Sequence, residues 1–349
     1  MDKKQMHRRV FLAETDYIPL AVNVKAPPQP FEAYDAMRDP DKAIANAVNT
    51  YSLTKQVGSD VIPMIESNFM ECLIPSIFGA EVHVAPGGFI DVRPFIKDIY
   101  ETEKLHITDI YRGEMENAIR HLEYIKQNAP DWLYVNPTRP MSPLDFAVVM
   151  RGGNFYMELA MEPELAAAFM GEIADVTMQT IDVFKDVIGQ PKDECATVRG
   201  YIFPGIRLTG DAIVNLSPTM IQEVMCPLYQ RFTDQYSHVM LHYCCLPAPS
   251  GHVIGALNKG EGVAWVDNWQ GYKTLFNGDV LQKQMGICTD VKKEQILSGE
   301  LLEDPFFTLQ GRPLTASVSV DTVDEGKRVY AAWREMWEKQ GRTPATTAQ

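Results

Sequence analysis

From about residue 60 onward the chain alternates short apolar runs with longer stretches whose apolar residues recur at helical spacing. The runs are Asp60-Val61-Ile62-Pro63-Met64-Ile65, Trp132-Leu133-Tyr134-Val135, Tyr201-Ile202-Phe203, Val239-Met240-Leu241-His242-Tyr243, Val263-Ala264-Trp265-Val266-Asp267, Met285-Gly286-Ile287-Cys288 and residues 314–320. Between them lie predicted helices over 113–127, 143–150, 163–187, 252–258, 292–298 and 324–339. Another starts at Ser217-Pro218, a serine N-cap followed by proline at the first helical position, and its apolar face runs through Ile221, Val224, Met225 and Leu228. Apolar strands set between helices are buried on both faces and parallel. About seven or eight of them predict an α/β fold, a (β/α)8 TIM-type barrel rather than an open sheet.

The first 55 residues differ. They are rich in proline (Pro27, Pro28, Pro30) and then helical over about 39–56, which predicts an N-terminal helical and loop extension that caps the barrel. The barrel domain then spans 56–340, and 341–349 form a polar, frayed tail. Residues 75–94, broken by Pro86-Gly87-Gly88, predict a hairpin or an irregular loop. Gly205 to Asp211 predict a loop after the strand at 201–203.

Charge narrows the function. With 32 Lys+Arg against 46 Asp+Glu the net charge is −14, which argues against nucleic-acid binding, because phosphate recognition needs a basic footprint. No apolar run reaches the roughly 18 residues of a membrane span. The charged start of the chain has no apolar stretch behind it, so no signal peptide is expected. Six cysteines (72, 195, 226, 244, 245 and 288) are too sparse for a disulfide framework. The expectation is a cytoplasmic enzyme whose clustered cysteines serve metal or redox chemistry.

Barrel chemistry sits at the C-terminal ends of the strands. That rule selects Glu66, His242, Cys244, Asp267 and Cys288. Residues two apart on a strand share a face, so His242 and Cys244 can direct an imidazole and a thiolate at one point. Zinc takes nitrogen and sulfur donors in tetrahedral geometry, and a catalytic zinc keeps one position open or loosely filled. Cys288 and Asp267, on the next strand ends, are candidates to complete the site. Cys245 points the other way, and Cys72, Cys195 and Cys226 read as structural. Glu66 follows apolar residues that would raise its pKa. It is a candidate base, proton donor or metal ligand, with a loop salt bridge as the alternative. Tyr243, Trp265, Trp269 and Tyr272 would either wall a planar substrate or simply pack. Arg207 and Asp211 form a charged pair that either lines the pocket or holds its loop.

The order of motifs resembles the uroporphyrinogen decarboxylase superfamily. The resemblance rests on Ser142-Pro143-Leu144-Asp145-Phe146-Ala147, Arg151-Gly152-Gly153-Asn154-Phe155-Tyr156 and Glu162-Pro163-Glu164. It continues through Gly210-Asp211, Leu216-Ser217-Pro218, Cys226-Pro227 and Leu241-His242-Tyr243-Cys244, and covers about residues 55–340. The resemblance implies a (β/α)8 barrel. The Gly-Arg-Tyr element of the true decarboxylases is replaced by Met64-Ile65-Glu66-Ser67-Asn68-Phe69, which directs the resemblance to the zinc-dependent, corrinoid-linked methyltransferases. Their metal motif is His-x-Cys followed by a distant Cys in the last strand. His242 and Cys244 match the first half; residues 314–320 contain no Cys, so Cys288 takes the third place.

The resulting expectation is zinc-dependent methyl transfer between a small methylated substrate, a phenyl methyl ether included, and cobalamin carried by a separate corrinoid protein. The alternatives are a metal-free decarboxylase or lyase using Glu66, Arg207 or Asp211, and a non-catalytic binding protein on the same fold.

Overall fold

The computed structural model describes residues 2–85, 88–244, 247–267, 286–308 and 313–343. Its strands, in chain order, are β1 Leu20–Val24, β2 Met64–Glu66, β3 Val82–Ala85, β4 Phe89–Val92, β5 Tyr134–Asn136, β6 Cys195–Ala196, β7 Ile202–Phe203, β8 Ile206–Thr209, β9 Val239–His242, β10 Trp265–Asp267, β11 Gly286–Asp290 and β12 Leu314–Val320. Six of them form one parallel sheet in the order β1-β12-β11-β10-β9-β8. β2 and β5 form a second parallel pair. The pair is tied to both edges of the sheet. The Asp60 N–H donates to the Leu20 carbonyl beside β1, and Met141 bridges to Thr209 of β8. β3–β4 and β6–β7 are antiparallel hairpins. The architecture is α/β with a central parallel sheet and many helices, consistent with the TIM-type fold that the sequence predicts.

Register sorts the side chains into two faces. Leu20, Val22, Leu208, Leu241, Val266, Ile287 and Val318 lie on one face and belong to the main apolar core under the helices. The opposite face carries Ala21, Met240, Trp265 and Cys288, packed in a second cluster with Phe11, Tyr201 and Phe203. Further along the same face come Asn23, Ser317, Asp290, Asp267, His242 and Arg207. The sheet thus has an apolar floor on this face and a polar layer toward the C-terminal ends of its strands.

Two expectations are corrected here. The first 55 residues are more than a cap, because Leu20–Val24 is a strand of the central sheet, paired with β12 along its length. Its neighbours in sequence are proline-rich, and only the pairing with residues almost 300 positions later reveals it. The strand at 201–203 belongs to the β6–β7 hairpin; the sheet strand is β8, where a loop is expected. Ile206-Arg207-Leu208-Thr209 alternates instead of running apolar, because its other face carries a buried ion pair.

Local signals place the helices well. Ser142 and Ser217 cap the helices Pro143–Arg151 and Pro218–Met220 by accepting the Asp145 and Met220 N–H groups, with proline at the first position of each. Among the described residues no helix is long and apolar enough to cross a membrane.

The helix Lys3–Phe11 closes the apolar end of the second face. Phe11 packs edge-on against Phe203 and Trp265, and the Trp265 indole N–H donates to the Phe11 carbonyl at 3.1 Å. Gly286 leaves room for that indole: a Cβ there would lie 2.0 Å from a ring carbon. His7 of this helix is fully buried. Its Nε2 lies 2.9 Å from the Asp60 carbonyl, and its Nδ1 accepts the Ile202 N–H at 3.2 Å. This arrangement requires the neutral ring, with Nε2 as donor. Burial pushes the imidazole down to about 3, helped by Lys3 and opposed by the Asp60 hydrogen bond. The unfolded chain therefore takes up a proton that the folded one refuses. Stability from His7 is complete above about pH 6.5 and falls as the pH drops toward 3, by up to about 1.4 kcal/mol per unit. Denaturation of wild type and His7→Gln between pH 7 and 4 should show the wild type losing its advantage over the variant with that sign; parallel pH profiles would refute it.

Candidate metal centre

Among the described residues one group of three or more ligand-type side chains converges: donor atoms of Asp211, His242 and Cys244 lie within 4.8 Å of one another. His242 is the last residue of β9 and is buried; Cys244, two residues on, is exposed. The sulfur of Cys244 stands 2.8 Å from His242 Nε2. Asp211 opens the 3₁₀ helix Asp211–Asn215 that follows β8, and its Oδ1 accepts the Cys244 N–H at 2.5 Å. Parallel pairing of β8 with β9 places these two strand ends side by side.

The ring of His242 is oriented from behind. Its Nδ1 donates to the main-chain carbonyl of Asp267 at 2.7 Å, which leaves the Nε2 lone pair facing Cys244 and Asp211. A ligating histidine is typically fixed in this way by a carbonyl or carboxylate on its other nitrogen. Burial, with Arg207, Arg199 and Arg139 nearby, pushes the imidazole down to about 2, so the ring stays neutral. One nitrogen, one sulfur and one carboxylate oxygen suit zinc and leave room for a fourth donor. The donor set present therefore fits that ion.

Behind the triad lies a network of buried charge. Asp267, 1% exposed, accepts from Arg199 Nη1 on one oxygen and from Arg207 Nε at 2.8 Å on the other. Arg199 continues to both oxygens of Asp290, and Ser317 donates to the same carboxylate. Arg139 grips Glu66 through two parallel contacts. Two-pronged arginine–carboxylate pairs are directional as well as strong, so this layer is a rigid backing for the strand ends. Beside it is a cavity of about 510 Å³, bordered by Asn23, Val198, Arg199, Asp290, Lys292, Ser317 and Ser319.

Several expected roles change. Cys288 lies opposite Asp267 in the register, 1% exposed, with its thiol pushed up by burial, and it is not in the converging group. Asp211, expected to line the pocket or brace a loop beside Arg207, stands in the converging group instead, while Arg207 pairs with Asp267. Glu66 is clasped by Arg139, the salt-bridge alternative of its two readings. Asp267 is locked between two guanidiniums and serves His242 through its backbone. Tyr243 is fully buried in the core on the face opposite His242, and Trp265 belongs to the apolar floor, so both pack, the second of the two readings. Trp269, Tyr272 and Cys245 lie outside the described residues.

Arg139, Arg199 and Asp290 are the participants that the sequence reading misses. Arg139 and Asp290 follow or end strands, and extending β11 by two residues would have found Asp290. Arg199 comes from the β6–β7 turn and carries no sequence signal.

Neither protein-family models nor curated protein sequences give a match to this chain. Among solved structures, a similar one is a methyltransferase from Methanosarcina mazei, at 12% sequence identity and a TM-score of 0.65, with 96% of this chain and 99% of that chain covered. At that identity the likeness is one of fold, and it extends along nearly the whole length of both chains.

Proposed function

We propose that this chain is a zinc-dependent methyltransferase built on a (β/α)8 barrel. It would move a methyl group between a small methylated substrate and cobalamin carried by a separate corrinoid protein. The barrel reading takes β1, β2, β5 and β8 to β12 as one closed ring, supported by the hydrogen bonds that tie the β2–β5 pair to β1 and to β8. The polar face of the sheet is then the barrel lumen, and its C-terminal mouth holds the candidate site.

The observation that carries the reading is the convergence of Asp211, His242 and Cys244, with the Nε2 of His242, 2.8 Å from the Cys244 sulfur, turned toward the other two donors. These three residues would hold the ion. Zinc, when bound, supplies Lewis acidity to the heteroatom that gains or loses the methyl group. The protein supplies the rest. The Asp267 carbonyl keeps the histidine in one tautomer, and Arg199 and Arg207 keep Asp267 in place. The cavity bordered by Asn23, Arg199, Asp290 and Ser319 falls within the roughly 300–1,000 Å³ typical of small-molecule sites, and it meets the site through the Arg199–Asp267 pair, since none of the three converging donors borders it. The lyase alternative asks Glu66, Arg207 or Asp211 to act on substrate; the first two are engaged by internal ion pairs, and Asp211 stands in the converging group. The fold likeness to a methyltransferase agrees with the proposal.

The test has two stages. Elemental analysis of the protein purified without chelator should give about one zinc per chain. Free cob(I)alamin should then be methylated in its presence by at least one member of a panel of methylated thiols, amines and ethers, read by corrinoid absorbance. Absence of a stoichiometric metal would remove the metal centre. Metal without methyl transfer in either direction would remove the assigned reaction.

A further inference from the structure

Asp211 stands on a five-residue 3₁₀ helix, and so short an element does not fix the direction of a side chain by itself. Two anchors hold its start. The Gly210 N–H donates to the His242 carbonyl at 2.7 Å, and a Cβ on Gly210 would come 2.8 Å from Leu241 Cδ1, so turn and strand are in close contact. The second anchor is Asp145, on the first turn of the helix Pro143–Arg151. Its Oδ1 accepts the Ala212 N–H at 3.0 Å, and its Oδ2 accepts the Ser142 hydroxyl at 2.6 Å.

Asp145 is 6% exposed, and among the described residues no ion pair includes it. Burial pushes its carboxyl up to about 7, so an acidic group is costly to keep here, and packing alone would be served as well by an apolar side chain. What the carboxylate does provide is an acceptor aimed at the first peptide groups of the Asp211 turn. We propose that Asp145 is a positioning residue of the candidate metal centre, holding the Asp211–Asn215 turn so that the Asp211 carboxylate faces His242 and Cys244. This rests on the reading of Asp211 as a zinc ligand. Asp145 itself touches neither metal nor substrate; it acts through the turn.

The experiment measures zinc affinity of the full chain by competition with a chromophoric chelator, and amide hydrogen exchange of the metal-free protein. Asp145→Ala should weaken zinc binding about 10–100-fold, the usual range for losing a group that orients a ligand. It should also speed exchange across 210–215 while the sheet strands keep their protection. Asp145→Asn, which retains an acceptor oxygen for the Ala212 N–H, should restore affinity to within about threefold on the same argument. If Asp145→Ala does not fold, Ser142→Ala decides: it should loosen the same segment and weaken zinc measurably. Wild-type affinity and wild-type exchange in the variant that folds would overturn the proposal. So would faster exchange spread evenly over the molecule, which marks a purely structural role. Zinc-free wild-type protein would overturn the metal reading and this role together; zinc in the wild type with unchanged affinity in the variants overturns this role alone.

Discussion

Cys244→Ala should lose zinc and methyl transfer together while the protein stays folded. The side chain is exposed, and its removal opens no cavity, so the unfolding free energy should move by no more than about 0.5 kcal/mol. The thiolate is the one soft donor in the converging group, and neither Asp211 nor His242 can replace its bond to the ion. Cys288→Ala is the informative partner. Cys288 packs in the apolar floor with Trp265 and Met240, so its loss should cost roughly 1 kcal/mol and leave the zinc in place. Metal analysis and denaturation of the two variants give opposite patterns: metal lost with stability kept, and metal kept with stability reduced. Zinc lost from Cys288→Ala would place the third ligand on β11, one strand earlier than the resemblance puts it, and remove Asp211 from the set.

Asp267→Ala should have the largest effect on stability of any change near the site. The carboxylate lies between Arg199 and Arg207, both nearly inaccessible to water. Removing it leaves two buried guanidiniums short of a partner, and breaking a buried pair from one side costs about 3–5 kcal/mol. Burial and the neighbouring Arg139 and Arg199 already push the Arg207 guanidinium below its ordinary value, a measure of how much its charge depends on compensation. Urea denaturation of wild type and variant gives the difference directly. A loss below about 1 kcal/mol would mean that Asp290 or water takes over the arginines, and that the layer behind His242 is less rigid than the geometry implies. Asp267→Asn keeps a side-chain acceptor oxygen for one guanidinium but not the charge, and should fall between wild type and Asp267→Ala.

The two substitutions separate the parts of the site that local sequence reveals from those it hides. The nearness of His242 and Cys244 is legible locally, because residues two apart share a face of an extended chain, although β9 ends at His242 and the Cys244 N–H is held by Asp211. The strand Leu314–Val320 and the starts at Ser142-Pro143 and Ser217-Pro218 are equally local, set by apolar pattern and by capping chemistry that each segment carries within itself. Alternation of apolar runs and amphipathic helices was enough for an α/β fold with a parallel sheet.

Everything that depended on distant pairing was decided by the tertiary structure. β1 became a strand because β12 supplied its hydrogen bonds, although the proline-rich residues after it suggested a loop. β8 escaped the apolar-run rule because Arg207 is buried on one of its faces, and a charge can be buried there only where Asp267 meets it across two strands. Asp211 reached His242 and Cys244 from 31 and 33 positions away only after parallel pairing set two strand ends side by side, with Asp145 arriving from a third element to hold the turn. The sequence by itself determined which residue types could bind a soft metal and at the end of which strand two of them would stand. Which carboxylate joins them, and which charges support it, was decided by packing, because those contacts have no energy until the segments meet.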